Sequence, residues 1–107
     1  MSASEITVQD LKRRMDAGEK LTIVDVRNQE EFEICRIPGS QLLPLPELAK
    51  RFGELDSSKE IILHCKSGGR SGKAQQFLRE QGFEKTLNLK GGILAWADSI
   101  DRAMPKY

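Results

Sequence analysis

Cys65 is the residue of this chain whose surroundings best suit covalent chemistry. It begins a glycine-rich stretch at residues 65–71 (CKSGGRS), with an apolar run before it and a helix-like segment after it. Loop amides and the positive end of the following helix dipole could both stabilise a thiolate here. Such surroundings lower a thiol pKa into a range of about 3.5–7.5, and the thiolate is the nucleophilic form. The pattern therefore predicts a sulfur nucleophile or a sulfur carrier rather than a buried, inert cysteine.

The small residues of this loop suit a bound anion. Gly68 and Gly69 permit backbone angles that bulkier residues resist. Ser67 and Ser71 can donate hydrogen bonds to a sulfur anion, although Ser71 is equally suited to capping the next helix. We therefore expect the N–H groups of residues 66–71 to surround the cysteine sulfur.

Three cations follow the predicted nucleophile with no acid among them: Lys66, Arg70 and Lys73. Lys66 can draw in anions, or it can remain a solvated charge. Arg70 can face the mouth of the loop and hold the anionic end of a sulfur donor through paired hydrogen bonds. The alternative for Arg70 is a surface position, where it stabilises the helix start or pairs with a nearby acid.

The spacing of the loop argues against other anion-binding motifs. A nucleotide P-loop requires glycine at the position of Ser67 and serine or threonine at the position of Ala74, so this chain departs from that motif twice. The dinucleotide fingerprint fails because Arg70 follows the glycine pair. A cysteine phosphatase needs five residues between cysteine and arginine, whereas four separate Cys65 from Arg70. The shorter loop makes a smaller cradle, which suits one sulfur atom better than a phosphate. The same difference in loop length disfavours an arsenate reductase of similar fold.

Composition narrows the classes of function. The 107 residues carry 17 basic and 16 acidic side chains, so no overall field points to nucleic acid or to a membrane as partner. Two cysteines without a CxxC pair, and one histidine, argue against a disulfide scaffold and a metal site. We expect no cofactor either. Because no signal peptide or long apolar stretch is visible, we expect a soluble cytoplasmic protein with a single domain at residues 1–107.

Strand-like and helix-like segments alternate along the chain, which predicts an α/β fold with a parallel sheet. The predicted strands are a short one near residue 6, then 21–26, 41–43, 61–64 and 86–89. The predicted helices are 8–15 with Thr7 as cap, 29–33, 46–52, 72–81 and a last helix after Gly91-Gly92.

Several motifs together resemble the rhodanese sulfurtransferases over nearly the whole chain. In chain order they are Asp25-Val26-Arg27, Ile37-Pro38-Gly39, the Cys65 loop, and Gly91-Gly92-Ile93 with Trp96. The resemblance implies a rhodanese-like α/β fold, with a five-stranded parallel sheet and helices on both faces. It also implies that Cys65 accepts a sulfane sulfur as a persulfide, from thiosulfate or from the persulfide of a cysteine desulfurase.

Two segments resemble one group within that family, the C-terminal sulfurtransferase domain of molybdopterin-synthase adenylyltransferase/sulfurtransferase proteins. These segments are residues 33–38 (EICRIP) and the ending at residues 91–107. The resemblance implies a ubiquitin-like sulfur carrier as acceptor, adenylated by a domain in cis or in trans. Two alternatives stay open, a free-standing thiosulfate sulfurtransferase and a persulfide relay that acts as an interaction module.

Five residues outside the cysteine loop are expected to have structural roles. In the family, Asp25 and Arg27 lie where a strand ends beside the site. We expect both to support the site, with Asp25 accepting hydrogen bonds from loop amides and Arg27 in an ion pair. A catalytic part for the two is the alternative. Cys35 is expected to be a semi-buried small residue rather than a second sulfur acceptor or resolving thiol. His64 should point away from Cys65, and Trp96 should belong to the core.

Overall fold

Strands and helices alternate along the chain, as the apolar periodicity predicts. The computed structural model describes residues 4–107, so residues 1–3 of the predicted domain lie outside the described part. The strands are β1 (Glu5–Ile6), β2 (Thr22–Asp25), β3 (Ser40–Leu42), β4 (Ile61–His64) and β5 (Thr86–Leu89). The helices are α1 (Val8–Asp16), α2 (Gln29–Ile34), α3 (Leu45–Arg51), α4 (Gly69–Glu80) and α5 (Gly92–Ser99), with a 3-10 turn (Phe52–Glu54) after α3.

The five strands form one parallel sheet in the order β1-β5-β4-β2-β3. Successive residues of the central strands point to opposite faces. Ile23 and Ile62 pack in one buried cluster with residues of α1 and α5, including Trp96. Val24 and Leu63 pack in the other with residues of α3 and α4. The expected five-stranded parallel sheet with helices on both faces is confirmed, and Trp96 is a core residue, as predicted.

The helix after the cysteine loop starts earlier than predicted. It begins at Gly69 rather than at residue 72, because Gly68 turns the chain with a φ of 121° that favours glycine. Arg70 and Ser71 therefore belong to the first helical turn. The suggestion that Ser71 caps this helix is wrong, since the cap position is occupied by Gly68.

The other element boundaries differ from the prediction by about one residue. Thr7 caps α1 as expected, with its hydroxyl oxygen 3.1 Å from the N–H of Asp10. Both β3 and α3 lie one residue earlier than predicted, and α2 continues to Ile34. Pro46 fits inside α3 because the first turn of a helix does not need its N–H group. Within residues 4–107, no helix is both long and apolar enough to cross a bilayer.

Parallel pairing brings the carboxyl ends of β2 and β4 to one edge of the sheet. Asp25 pairs in register with His64, so the segments that follow these two strands are neighbours. At the same edge, the N–H of Ile93 at the start of α5 donates to the carbonyl of Cys65 at 3.0 Å. The sheet and α5 together fix the backbone from which the cysteine loop departs.

Candidate active site

The thiol of Cys65 lies in a cradle of hydrogen-bond donors. Its sulfur is 3.1 Å from the backbone nitrogen of Gly68 and 3.4 Å from that of Ser71. Burial by itself raises the pKa of this thiol, but the hydrogen bonds from Ser71, Gly68 and Ser67 outweigh burial and hold the pKa below its ordinary value. The side chain is almost enclosed, with 1% of the residue's surface exposed. The loop therefore stabilises a thiolate that is almost fully enclosed.

Asn88 on β5 orients the loop, and sequence reasoning missed it. Ser71 Oγ lies 3.4 Å from the Cys65 sulfur but only 2.6 Å from Oδ1 of Asn88, so its single proton is held by Asn88. The Asn88 amide nitrogen donates in turn to the carbonyl of Gly68 at 3.2 Å. A side-chain amide between the two leucines of the strand sequence TLNL was the signal that could have identified Asn88. The two amide donors, more than the hydroxyl, are left to stabilise the thiolate.

Arg70 pairs with an acid, Glu31, instead of standing free at the loop. Its Nη1 lies 2.6 Å from Oε1 of Glu31 and its Nη2 lies 2.9 Å from Oε2. The pair raises the pKa of Arg70 further above its usual range, and the nearby Cys65 adds to this rise. This arrangement is the surface alternative that the sequence left open. The guanidinium still lies close enough to Cys65 to interact with its charge.

Glu31 was not singled out from the sequence, although its local pattern was visible. Asn28 and Glu31 form a capping box at the start of α2, with the side chain of each accepting the backbone N–H of the other at 3.0 and 3.1 Å. Glu31 thus serves both the helix start and Arg70. The Arg70 pair is the main cause that lowers the pKa of Glu31 to about 2, against the opposing effect of burial.

Lys66 lies over an aromatic ring rather than in bulk solvent. Its ammonium nitrogen is 4.6 Å from the centroid of Tyr107. We call the charged side chains Glu31, Lys66 and Arg70 the charged rim. Lys66 and Arg70 are the two cations of the loop for which the sequence suggested anion binding. Glu31 partly neutralises their charge.

Asp25 and Arg27 form a fully buried ion pair beneath this edge of the sheet. Nη2 of Arg27 lies 2.6 Å from Oδ2 of Asp25, and Oδ1 accepts the Arg27 backbone N–H at 3.0 Å. Nη2 also donates to the carbonyl of Cys35 at 2.6 Å. Cys35 itself is buried, with 8% of its surface exposed, and not semi-buried as expected. These contacts tie the segment after β2 together in the way that a supporting role requires.

His64 is enclosed beside Asp25 and is uncharged at neutral pH. Its Nε2 lies 3.7 Å from Oδ2 of Asp25. Burial and, to a smaller degree, Arg27 lower the pKa of His64 to about 4, against the opposing effects of Asp25 and the Cys65 backbone, so this contact is not an ion pair. Neither ring nitrogen has a hydrogen-bond partner among residues 4–107. No cysteine–histidine catalytic pair is therefore formed, as the strand position of His64 predicted.

A broad surface hollow lies at the opposite edge of the sheet. Its volume is about 530 Å³, and Arg14, Lys20, Thr22 and Glu60 are among its lining residues. These residues precede or begin strands, whereas the candidate site follows them. Arg14 is already paired with Glu19 and Glu60. The chemistry therefore points to the enclosed cradle of Cys65 rather than to this hollow.

Comparison with known proteins identifies relatives of this chain. Residues 7–99 match the family model of the rhodanese-like domain. The putative sulfur carrier protein YrkF of Bacillus subtilis is 41% identical over 100 residues, which cover 94% of this chain and 54% of that protein. The probable adenylyltransferase/sulfurtransferase MoeZ of Mycobacterium tuberculosis is 36% identical over 106 residues, which cover 97% of this chain and 27% of that protein. The chain thus spans about half the length of the first relative and about a quarter of the second.

A solved structure extends the likeness to the fold. The crystal structure of a rhodanese-like domain protein from Staphylococcus aureus superposes with a TM-score of 0.84 at 29% sequence identity, covering 91% of this chain and 94% of that one. The family match includes the Cys65 loop, the ends of β2 and β4 and all of α5. The chain belongs to the rhodanese-like domain family.

Proposed function

We propose that the chain is a sulfurtransferase that carries a sulfane sulfur as a persulfide on Cys65. The observation that supports this most directly is the pair of amide donors, from Gly68 and Ser71, within 3.4 Å of a thiol whose pKa is lowered. A thiolate held in this way is a ready nucleophile that needs no separate general base. The same donors suit the negative charge of a persulfide.

In the first half of the proposed cycle, the Cys65 thiolate attacks the outer sulfur of a donor. With thiosulfate, a sulfur–sulfur bond to Cys65 forms, and sulfite leaves with the electron pair of the broken bond. A cysteine desulfurase persulfide would react in the same way and leave as a thiolate. Because Glu31 occupies both terminal nitrogens of Arg70, an anionic donor must share or displace that carboxylate to reach the guanidinium. The N–H groups of residues 66–71 then hold the persulfide.

In the second half, the terminal sulfur passes to an acceptor. Cyanide attacks this sulfur and leaves as thiocyanate, which returns Cys65 to the thiolate. With an acyl-adenylate, the terminal sulfur attacks the acyl carbon and AMP leaves. A second thiol then cleaves the acyl disulfide, which yields a thiocarboxylate and a mixed disulfide on Cys65.

For the acceptor, we propose the adenylated C-terminal glycine of a ubiquitin-like sulfur carrier. The support is the likeness to MoeZ, whose name joins an adenylyltransferase to a sulfurtransferase, and the resemblance of residues 33–38. In this proposal residues 1–107 are one sulfurtransferase domain of the cytoplasm, and an adenylating domain acts in cis or in trans. The sulfur would serve molybdopterin, thiolated-tRNA or thiamine-type metabolism, without nucleic acid or membrane as a direct partner.

Intact-mass analysis after thiosulfate treatment tests the first half-reaction. We expect one added sulfur atom on the native chain and on Cys35→Ser, and none on Cys65→Ser, with peptide mapping to locate it. Sulfur on another residue, or none at all, contradicts the proposal. For the acceptor, persulfidated protein is mixed with carrier, ATP, an adenylating domain and a small thiol, and the carrier is searched for a thiocarboxylate by mass spectrometry.

The second candidate is a free-standing thiosulfate sulfurtransferase. It is favoured by the rhodanese-like domain protein from Staphylococcus aureus, since the shared fold covers 94% of that chain. Fast turnover of thiosulfate, together with an adenylated carrier that receives no sulfur, would support it. A persulfide relay is favoured by the likeness to YrkF, which is named a putative sulfur carrier. Weak use of thiosulfate with efficient transfer between proteins would support the relay.

A further inference from the structure

Tyr107 contacts charged groups from separate segments of the chain. Its hydroxyl accepts a hydrogen bond from Nη1 of Arg27 at 2.9 Å and donates one to Oε2 of Glu31 at 2.7 Å. The ammonium group of Lys66 lies 4.6 Å from the centroid of its ring. Lys66 directly follows Cys65, whereas Arg27 and Glu31 follow β2. One aromatic side chain therefore connects the cysteine loop to the neighbouring segment at the same edge of the sheet.

Through Glu31, Tyr107 also reaches Arg70. Oε1 of Glu31 accepts from the backbone of Asn28 and from Arg70. Oε2 accepts from Arg70 and from Tyr107. The carboxylate is thus held by Asn28 at one oxygen and by Tyr107 at the other, and it presents both oxygens to the guanidinium. Removal of Tyr107 leaves this bidentate pair fixed at one end only.

The hydroxyl of Tyr107 keeps its proton at neutral pH. Burial and the hydrogen bond to Glu31 together raise its pKa to about 12, against the opposing effect of Arg27. The direction of the two hydrogen bonds is therefore fixed, from Arg27 to Tyr107 and from Tyr107 to Glu31. Deprotonation would place a phenolate beside the carboxylate and break the second bond.

We propose that Tyr107 is a positioning residue that holds the charged rim, Glu31, Lys66 and Arg70, in place beside Cys65. With Tyr107 present, Lys66 stays over the ring and Arg70 stays paired with Glu31, so two cations and one carboxylate are held around the cysteine loop. This arrangement makes Cys65 prefer anionic reagents to neutral ones of the same size. The preference for an anionic sulfur donor rests on the proposed function, whereas the arrangement of charges does not.

Alkylation of Cys65 by iodoacetate and by iodoacetamide measures this preference without any sulfur transfer. Both reagents attack the same thiolate and differ in charge, so the ratio of their rate constants reports the local field. The Cys35→Ser chain is used throughout so that a single thiol reacts. We expect Tyr107→Leu to lower the iodoacetate-to-iodoacetamide ratio about two- to fivefold, the size of an exposed cation–π contact. Tyr107→Phe keeps the ring and should give an intermediate ratio.

Two further variants assign the effect to the charged rim. Lys106→Ala changes the residue next to Tyr107, which pairs with Asp98, and should leave the ratio unchanged. Lys66→Gln should lower the ratio. In a chain that already carries Lys66→Gln, the further change Tyr107→Leu should lower the ratio less than Tyr107→Leu does with Lys66 present, because both changes act through the contact between Lys66 and the ring. At about 1 M NaCl, where the Debye length is about 3 Å, the differences among variants should shrink.

An unchanged ratio in folded Tyr107→Leu overturns the proposal. Equal slowing or equal acceleration of both reagents also overturns it, because a purely structural effect on access would act on both alike. If Tyr107→Leu does not fold, Tyr107→Phe decides, and a native ratio there overturns the proposal. Where thiosulfate does load Cys65, its KM should rise in Tyr107→Leu with kcat little changed. A lowered ratio in a chain that never takes up sulfur refutes the proposed function while it supports the role of Tyr107.

Discussion

The backbone of Gly92 passes so close to Lys66 that a side chain cannot fit between them. A Cβ at Gly92 would lie 2.4 Å from the carbonyl oxygen of Lys66, and the glycine has a φ of 60°. We predict that Gly92→Ala lowers the free energy of unfolding by about 1–3 kcal/mol, because backbone atoms must move to admit the methyl group. Denaturant unfolding measures this change.

The control for this prediction is Gly53→Ala. A Cβ at Gly53 meets nothing within 4 Å, so its cost should stay within about 0.5 kcal/mol. Since Gly92 borders the cysteine loop, Gly92→Ala should also slow alkylation of Cys65. Equal stability of the two variants would show that α5 shifts freely, and that the loop does not depend on its close approach.

A second prediction separates the two cysteines. Cys65→Ser should reduce thiosulfate:cyanide sulfur transfer to the level without protein, because the hydroxyl of serine neither ionises at neutral pH nor carries a sulfane sulfur. Cys35→Ser should retain most of the activity, since Cys35 is buried against Arg27 and none of residues 4–107 supplies it with an amide cradle. Steady-state assays on both variants decide the matter. A loss in Cys35→Ser as deep as in Cys65→Ser would assign Cys35 a part in the transfer.

The third prediction concerns the source of the low thiol pKa. Alkylation rate against pH should give an apparent pKa for Cys65 below the free-thiol value of about 8.5. Ser71→Ala should raise this pKa only slightly and leave it below the free-thiol value, because both amide donors remain and Asn88 already holds the hydroxyl proton.

Ser67→Ala is the matched control, since it keeps the backbone N–H of an exposed loop residue. It should leave the pKa unchanged. An inflection at or above 8.5 in the native chain would refute the electrostatic argument altogether. The same inflection confined to Ser71→Ala would mean that the hydroxyl, rather than the amides, stabilises the thiolate.

The parts of the site that follow from local sequence were predictable, and the parts that depend on distant residues were not. The strand before Cys65 and the glycines after it are adjacent in the chain, so their pattern predicts a cradle. The Arg70–Glu31 pair spans 39 positions and the Tyr107–Glu31 bond spans 76. Which acid meets which cation depends on how the loops after β2 and β4 leave the sheet, and periodicity carries no such information.

The fourth prediction tests the Arg70–Glu31 pair through acid stability. The pKa of Glu31 is about 2 in the folded protein, against about 4.3 in an unfolded chain. The pair therefore stabilises the fold above the unfolded pKa, on the order of 2 kcal/mol, and this contribution is lost as the pH falls toward the folded pKa. We expect Glu31→Gln, which keeps the capping box, to be less stable than the native chain at pH 6 and equal to it near pH 2.

Glu30→Gln, an exposed change on the same helix, serves as control and should follow the native chain across this range. Unfolding by denaturant at several pH values supplies the comparison. A Glu31→Gln chain as stable as the native one at pH 6 would mean that solvent screens the pair fully, as it does for many surface ion pairs.

The last prediction rests on His64, the only histidine of the sequence. Burial lowers its pKa to about 4, whereas an unfolded chain binds the proton near 6.5. Between these values the unfolded state takes up a proton that the folded state does not, so stability should fall by up to about 3 kcal/mol as the pH drops from 6.5 to 4. This window lies mostly above the one in which Glu31 titrates, so the two effects are separable.

His64→Leu should remove this fall and leave a nearly flat stability between pH 6.5 and 4.5. At pH 7.5 the variant should be as stable as the native chain or slightly more so, because the buried ring nitrogens find no hydrogen-bond partner among the described residues and an apolar side chain has none to lose. Denaturant unfolding across this pH range measures both expectations. The same slope in both chains would mean that the folded protein admits the proton, and that Asp25, 3.7 Å from the ring, offsets the cost of burial.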